Sequence, residues 1–104
     1  MHFLLFYDYV PDYLQRRATY RGDHLRLAWD SQQRGDLLLA GVLADPIDGA
    51  VFLFQGEDDR AVHAFVRADP YVKAGLVSQW RVRPWTTTVG DAAATPIRPA
   101  EADR

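Results

Sequence analysis

The apolar residues of this chain occur in an order that very few folds can accommodate. Four short runs are rich in aromatic, aliphatic and β-branched residues, which is typical of strands. Two longer stretches between the runs repeat their apolar residues at helical spacing. The predicted strands are residues 3–9, 36–43, 50–55 and 77–84, and the predicted helices are residues 11–34 and 57–68. This β-α-β-β-α-β order predicts an α+β, ferredoxin-like fold, in which a four-stranded antiparallel sheet carries two helices on one face.

The strands are apolar on both of their faces, although the predicted helices cover only one. Because side chains alternate along a strand, Phe3, Leu5 and Tyr7 face one side of the sheet. Leu4 and Phe6 face the other side, and an uncovered apolar face of this kind is unusual for a monomer. Burial of such side chains, at about 25 cal/mol per Å2, favours association. We therefore expect a homodimer that packs sheet against sheet; the alternative is a C-terminal tail that folds back over its own sheet.

Length, charge and composition exclude several classes of protein. The 104 residues are enough for one domain, which we assign to residues 1–85. Residues 86–104 are rich in Thr, Ala, Pro and charge, so we expect a tail that is partly disordered or docks on the partner subunit. The net charge of −2 argues against binding to nucleic acid or to a membrane surface. Because the sequence has no cysteine and no signal-peptide pattern, we expect a cytoplasmic protein.

His24 and Asp69 are the residues best suited to acid–base chemistry. The predicted core stripe of the first helix runs through Leu14 and Leu25, and His24 lies about 80° from it, at the border between core and solvent. The reference pKa of histidine, about 6.5, allows it to serve as acid or base at neutral pH. Taken alone, His24 is an ordinary half-exposed histidine, and Asp69, which precedes Pro70, is the N-cap of a short helical turn. The two side chains can also form a hydrogen-bonded catalytic pair, and the two roles of Asp69 can coexist.

Arg17, Arg21 and Tyr7 are the predicted substrate-binding residues. Both arginines lie on or near the helical face of His24, where a guanidinium group can hold an anionic substrate. Tyr7 and Tyr9 are candidate pocket walls or hydroxyl donors. The alternative for the arginines is pairing with nearby carboxylates, those of Asp8, Asp12 and Asp23. The sequence has no glycine-rich phosphate loop, no nucleophile elbow and no pair of histidines at metal-binding spacing, so we expect neither a cofactor nor a metal ion.

Several stretches of the chain together resemble one known family. These stretches are Arg17, Arg21-x-x-His24-Leu25, Gly35-x-Leu37-Leu38-x-Ala40-Gly41 and Ala68-Asp69-Pro70-Tyr71-Val72-x-Ala74-Gly75. Their order and spacing are similar to those of the YCII-related (YciI-like) family over roughly residues 1–85. The resemblance implies a ferredoxin-like domain that forms a dimeric α/β barrel, with an active site at the positions of His24 and Asp69. Within the family, one member resembles a dehydrochlorinase of chlorinated hydroxyquinones, and the fold is similar to that of muconolactone isomerases, so the resemblance implies cofactor-independent proton transfer. The chain departs from the usual family pattern at Val42, where a proline and a longer hairpin loop are common.

Two functions remain open on the sequence. The first is a small cofactor-independent lyase or isomerase, in which His24 moves a proton, Asp69 orients the imidazole and Arg21 with Tyr7 binds a small anionic or aromatic-derived molecule. The second is a non-catalytic dimeric module that binds a ligand or another protein. Binding of RNA, as in RRM domains of the same topology, is opposed by the third strand, which lacks the Lys/Arg-Gly opening of an RNP1 motif.

Overall fold

The structure, a computed structural model that describes residues 1–102, contains one four-stranded sheet. The strands are β1 (His2–Tyr9), β2 (Leu37–Leu43), β3 (Gly49–Gln55) and β4 (Val77–Trp85). The helices are α1 (Tyr13–Arg16), α2 (Ala18–Gln33), α3 (Arg60–Ala68), α4 (Pro70–Lys73) and α5 (Pro99–Ala102). The strands lie in the order β2-β3-β1-β4, and all neighbouring pairs are antiparallel. The predicted α+β, ferredoxin-like fold is confirmed.

The core lies between one face of the sheet and the helices. Leu5 of β1 is opposite Phe52 of β3, and Phe3 is opposite Phe54, so that all four side chains point to the same, buried face. Helix α3 contributes an apolar stripe to this core, formed by Val62, Phe65 and Val66. Each of these side chains stabilises the fold by about 1.5–3 kcal/mol when it is removed from water. Because the stripe fixes α3 on the sheet, the junction between α3 and α4 is held close to the C-terminal half of β1, where Tyr7 lies.

The first predicted helix is divided in two. Residues 13–33 form α1 and α2, which meet at Arg17. There the Tyr20 N–H donates to the Arg17 carbonyl over 2.9 Å, a tight turn that spans three residues instead of four. The turn lets Tyr13 point into the core, where its side chain is buried. The prediction of a single helix over residues 11–34 is therefore corrected.

Helix α2 also presents a different face to the core from the one predicted. Leu14 and Leu25 are 49% and 42% exposed, whereas His24 and Ser31 are buried. The predicted core stripe is therefore wrong, and His24 belongs to the buried face rather than to its border. The physical reason is a polar requirement: a buried carboxylate without hydrogen-bond partners would cost several kcal/mol, and the buried face of α2 provides a partner for Asp69.

The second face of the sheet is not buried by the described part of the chain. Leu4, Phe6, Val51 and Leu53 are partly exposed there, and Leu39 is 72% exposed. The Arg81 guanidinium lies over the Phe6 ring at 4.4 Å. The apolar face predicted from strand alternation is thus present, and the alternative of a tail that buries it is not seen within residues 86–102.

The tail begins with a compact turn at one end of the sheet. Thr87 forms a hydrogen bond with His2 Nδ1 over 2.6 Å through its hydroxyl group, which also accepts from the Ala94 N–H. The Ile97 N–H donates to the Thr88 carbonyl, so that residues 87–97 bond to one another. The division of the chain at residue 85 and the docking of the tail on a partner subunit stay predictions, and Asp103 and Arg104 lie outside the described residues.

Candidate active site

Asp69 is held at the junction of α3 and α4 by the proline that follows it. Pro70 disfavours the helical region for the preceding residue, and Asp69 accordingly has an extended backbone, with φ −69° and ψ 119°. Its Oδ1 accepts a hydrogen bond from the Tyr71 N–H at 3.0 Å, which makes Asp69 the N-cap of α4. Its Oδ2 accepts from the Tyr7 hydroxyl at 2.7 Å. The side chain is completely buried, and these bonds fix its orientation.

His24 completes the set of hydrogen bonds around Asp69. The distance between His24 Nδ1 and Asp69 Oδ1 is 2.8 Å. Because a carboxylate can only accept, Nδ1 carries the proton in this pair and Nε2 carries the lone pair. Nε2 has no hydrogen-bond partner among the described residues, while the imidazole ring stacks on the Tyr71 ring with centroids 3.9 Å apart. The histidine is therefore fixed in one tautomer, with a basic nitrogen left over. The capping role and the histidine-pairing role predicted for Asp69 occur together.

A cavity of about 280 Å³ lies beside His24, between α2 and β2. One part of its wall is polar and consists of Tyr9, Tyr13, Arg17, Arg21, His24 and Tyr71. The rest is nonpolar and consists of Leu25, Ala28, Ala40, Gly41, Val42, Ala50 and Phe52. Several of the lining residues, among them Arg21 and Val42, are exposed, so the cavity opens to solvent. A small molecule can therefore reach the histidine.

The two arginines on the cavity wall have no carboxylate partner within residues 1–102. Asp12 pairs with Arg16 and Asp23 pairs with Arg26, so the nearest acids on the helix are already engaged. The Arg17 guanidinium lies over the Tyr13 ring, 5.5 Å from its centroid. The alternative of ion pairs with Asp8, Asp12 or Asp23 is therefore not realised for Arg17 or Arg21. The cavity has two positive charges that no carboxylate of the described chain neutralises.

Tyr7, predicted to bind substrate, lies behind Asp69 and outside the cavity. Its side chain is 1% exposed and does not line the cavity, and its hydroxyl donates to Asp69. Sequence reasoning placed it with the arginines because strand alternation gives the face of a residue but not its partner. Tyr71, which stacks on His24, was missed as a site residue. Its position two residues after an N-cap, where its N–H must point at the Asp69 carboxylate, is the signal that could have identified it.

Burial raises the pKa of the Tyr7 hydroxyl far above its usual value, and the neighbouring Asp69 carboxylate raises it further. Burial is also the main cause of the raised pKa values of Tyr9 and Tyr71, and a hydrogen bond with Tyr13 raises both. These three phenols therefore stay protonated at neutral pH and act as hydrogen-bond donors. Tyr7 in particular supplies Asp69 with a permanent donor.

These raised pKa values predict a loss of stability at alkaline pH. A phenol whose pKa is higher in the folded than in the unfolded state contributes fully below the unfolded value, about 10, and loses its contribution as the pH rises above that value. We expect the free energy of unfolding, measured by urea titration, to fall above about pH 10 by up to roughly 1.4 kcal/mol per pH unit for each such tyrosine. Tyr7→Phe should reduce this slope. Phe54→Leu, which weakens the core without removing a phenol, should lower stability and leave the slope unchanged; an equal slope in the wild type and Tyr7→Phe would refute the assignment.

The described residues contain neither a membrane-spanning helix nor a cluster of metal ligands. Within residues 1–102, no helix is both long enough and apolar enough to cross a bilayer. In the same part of the chain, no three His, Asp or Glu side chains are grouped as a metal site would require.

Several solved structures of other proteins share this fold. The 5-chloro-2-hydroxyhydroquinone dehydrochlorinase from Burkholderia phenoliruptrix AC1100, in complex with 2,5-dihydroxybenzoquinone, is 26% identical, and the match covers 84% of this chain and 95% of that chain with a TM-score of 0.71. A NIPSNAP family protein from Agrobacterium tumefaciens strain C58 is 12% identical over 89% of this chain and 95% of that chain, with a TM-score of 0.54. A NIPSNAP-like domain protein from Burkholderia xenovorans is 15% identical over 95% of both chains, with a TM-score of 0.52. The last two show the fold alone.

The family of the chain follows from its sequence. None of the curated proteins matches it. The YCII-related domain, in contrast, matches residues 1–86, which is most of the chain and includes both His24 and Asp69. The resemblance inferred from the spacing of its motifs is therefore confirmed: this chain belongs to the YCII-related domain family.

Proposed function

We propose that this protein is a small cofactor-independent enzyme, a lyase or isomerase that performs acid–base chemistry on a small anionic or aromatic-derived molecule. The observation that carries the proposal is the His24–Asp69 pair, buried on one side and facing an arginine-lined cavity on the other. The dehydrochlorinase that shares 26% of its residues acts on a single-ring substrate, which supports the same class of substrate here.

In this mechanism His24 is the proton carrier. Nε2 takes a proton from a carbon next to a carbonyl group, and the electrons of the broken C–H bond move to the carbonyl oxygen to form an enolate. In an isomerase, the enolate takes the proton back at another carbon. In a lyase, Nε2 takes the proton from a ring hydroxyl group or from a carbon next to the carbonyl group. The electrons of the resulting enolate expel a leaving group such as chloride from a saturated ring carbon, as in the keto tautomer of a chlorinated hydroxyquinol. The proton stays on His24 until solvent removes it. General acid–base catalysis of this kind contributes about 100- to 10,000-fold to the rate.

Asp69 and Tyr7 support the histidine without touching the substrate. Asp69 keeps the proton on Nδ1, so that Nε2 is basic, and its negative charge stabilises the imidazolium that forms after proton transfer. Tyr7 donates to the second carboxylate oxygen and holds Asp69 in place. We therefore propose Tyr7 as a positioning residue, whereas Arg17 and Arg21 bind the anionic group of the substrate.

The cavity favours a small substrate. Its volume of about 280 Å³ lies just below the range of about 300–1,000 Å³ that is usual for sites of drug-sized ligands. A single six-membered ring with a few oxygen substituents is a suitable occupant. Phe52, Leu25 and Val42 on the nonpolar wall would contact its ring, and the arginines would contact its charged edge.

The test is turnover of single-ring substrates by the purified wild-type protein. The first substrate is 5-chloro-2-hydroxyhydroquinone, with chloride release as the readout, and unchlorinated hydroxyquinones follow, with exchange of ring hydrogens for deuterium as the readout. Catalysis of either reaction supports the enzyme. Tight binding of these compounds with no acceleration of either reaction would contradict it and favour the alternative, a non-catalytic ligand-binding module.

We also propose that the protein works as a homodimer joined by the open face of the sheet. Leu53 is the central residue of this face, because it lies opposite Leu4 on one side and Leu39 on the other. All three side chains are at least partly exposed in the single chain. A second copy of the same face is the simplest cover for them.

Leu53→Arg is therefore expected to convert the dimer into a monomer, because it places a charge at the centre of an apolar contact. Sedimentation equilibrium or light scattering measures the molecular mass directly. Leu14→Arg is the matched control, because Leu14 is exposed on α1, away from the sheet, and its replacement should leave the dimer intact. A wild-type protein that is monomeric at all concentrations, or a Leu53→Arg variant that is as dimeric as the wild type, would contradict the proposed interface.

A further inference from the structure

Three tyrosines meet on the polar wall of the cavity. The rings of Tyr9 and Tyr13 are stacked, with centroids 3.7 Å apart and an angle of 3° between their planes. Tyr71 packs edge-on against both, at 6.2 Å from Tyr9 and 5.6 Å from Tyr13. The Tyr13 side chain interacts with the hydroxyl groups of both Tyr9 and Tyr71 and raises the pKa of each. We call Tyr9, Tyr13 and Tyr71 the tyrosine triad, and Tyr13 is its central member.

The triad has at least one spare donor. Three phenols have three O–H protons, and the contacts that Tyr13 makes with Tyr9 and Tyr71 can engage at most two of them. The third proton has to find an acceptor outside the triad, and the space that all three residues line together is the cavity. A ligand oxygen in the cavity is therefore the acceptor that this arrangement lacks.

The surroundings of the triad favour a negatively charged oxygen. Arg17 and Arg21 line the same wall, and Arg17 lies over the ring of Tyr13. Both arginines act on the Tyr71 hydroxyl electrostatically. His24 lines the same cavity and stacks on Tyr71 with ring centroids 3.9 Å apart, so an oxygen bound by the triad lies near the group that moves the proton.

We propose that the tyrosine triad is an oxyanion-binding site for the ring oxygen on which negative charge accumulates during the reaction. The proposal rests on the proposed function, in which His24 removes a proton and the C–H electrons move to a carbonyl oxygen. The triad shares its spare proton with that oxygen through a hydrogen bond and does not transfer it, so the phenol is unchanged at the end of the cycle. Donors arranged in advance around a developing charge are a large source of rate enhancement.

The proposal also defines the substrate class. A donor of this kind is strongest toward an ionised oxygen, because hydrogen bonds to charged groups are about twice as strong as neutral ones. The favoured ligands are therefore single rings with an ionised hydroxyl group or an enolisable carbonyl group. Neutral rings of the same size would bind through the nonpolar wall alone.

The test measures the binding of two probes by calorimetry. The probe 2,5-dihydroxybenzoquinone is ionised at neutral pH, and hydroquinone is a neutral ring of similar size. Tyr13→Phe and Tyr71→Phe are expected to weaken binding of the ionised probe by about 10- to 100-fold and to change binding of hydroquinone by less than about threefold. Tyr71→Phe keeps both the stack on His24 and the backbone N–H that bonds to Asp69. Tyr20→Phe is the matched control, because Tyr20 lies on α2 and does not line the cavity.

Several outcomes would contradict either the proposal or the function on which it rests. A wild-type protein that does not bind 2,5-dihydroxybenzoquinone has no oxyanion site of this kind. Unchanged affinity in Tyr71→Phe, or an equal loss for both probes, shows that the triad only shapes the wall. If Tyr13→Phe fails to fold by circular dichroism, Tyr9→Phe replaces it. If the wild type shows turnover but the variants bind the ionised probe unchanged, the oxyanion site is refuted and the proposed enzyme is not. If binding depends on the triad but no turnover occurs, the proposed enzymatic function is refuted.

Discussion

Asp69→Ala is expected to lower the free energy of unfolding by roughly 3–5 kcal/mol. The substitution removes the acceptor of three hydrogen bonds at once: those from the Tyr7 hydroxyl, the Tyr71 N–H and His24 Nδ1. Tyr7 and Tyr71 are 1% exposed, so water cannot replace the lost acceptor there without opening the core. A buried donor without a partner costs about 1–3 kcal/mol, and two or three of them account for the expected loss. Urea unfolding followed by circular dichroism measures it.

Asp59→Ala is the matched control for this experiment. Asp59 also precedes a helix and also pairs with a histidine, His63, at 3.0 Å, but its side chain is 46% exposed and accepts no capping hydrogen bond. We expect a change below about 1 kcal/mol, as for exposed ion pairs in general. Equal losses in Asp69→Ala and Asp59→Ala would show that the buried carboxylate does not organise the structure around it.

His24→Ala is expected to reduce the rate of chloride release or deuterium exchange by about 100- to 10,000-fold, because no other described side chain offers a basic nitrogen to the cavity. The substitution also removes a ring that stacks on Tyr71, so part of any loss could come from packing. His24→Gln keeps some of that volume and is expected to be as inactive. Added imidazole should restore a part of the activity to His24→Ala, which a loss of packing alone would not allow.

His63→Ala is the matched control, because it tests whether loss of any histidine–aspartate pair, rather than loss of the pair at the cavity, reduces activity. His63 and Asp59 have the same residue types and a similar distance, 3.0 Å, but lie on the surface, away from the cavity. Turnover in His63→Ala should equal that of the wild type. Full activity in His24→Ala, or an equal loss in both variants, would contradict the role of His24.

The sheet could be predicted from the sequence because its strands are short, apolar and regular. Alternation alone placed Phe3, Leu5 and Tyr7 on one face and Leu4 with Phe6 on the other, as the structure has them. Each side chain of a strand can lie on only one of the two faces of the sheet. Alternation therefore divides the side chains of a strand into two sets, and the position of the helices decides which set forms the core.

The orientation of α2 could not be predicted in this way. Its apolar residues lie on several sides, and Leu25 looked like a core residue although it lies on the rim of the cavity. The buried face of α2 instead carries His24, which bonds to Asp69, a residue 45 positions away in the chain. Hydrophobic periodicity does not include such long-range polar pairs. For the same reason, the sequence suggested that Tyr7 binds substrate, although its hydroxyl meets Asp69.

The position of Asp69 has a consequence for how relatives of this protein are interpreted. One carboxylate accepts hydrogen bonds from Tyr7 of β1, His24 of α2 and the Tyr71 N–H of α4. It therefore stabilises the packing of these three elements and is also part of the candidate site. A descendant that had lost its chemistry would still be under pressure to keep this aspartate. Retention of the His–Asp pair in a relative is therefore evidence of a stable fold before it is evidence of activity. Arg17 and Arg21 have no carboxylate partner in the described chain, and they are the better indicator that a relative still binds an anion.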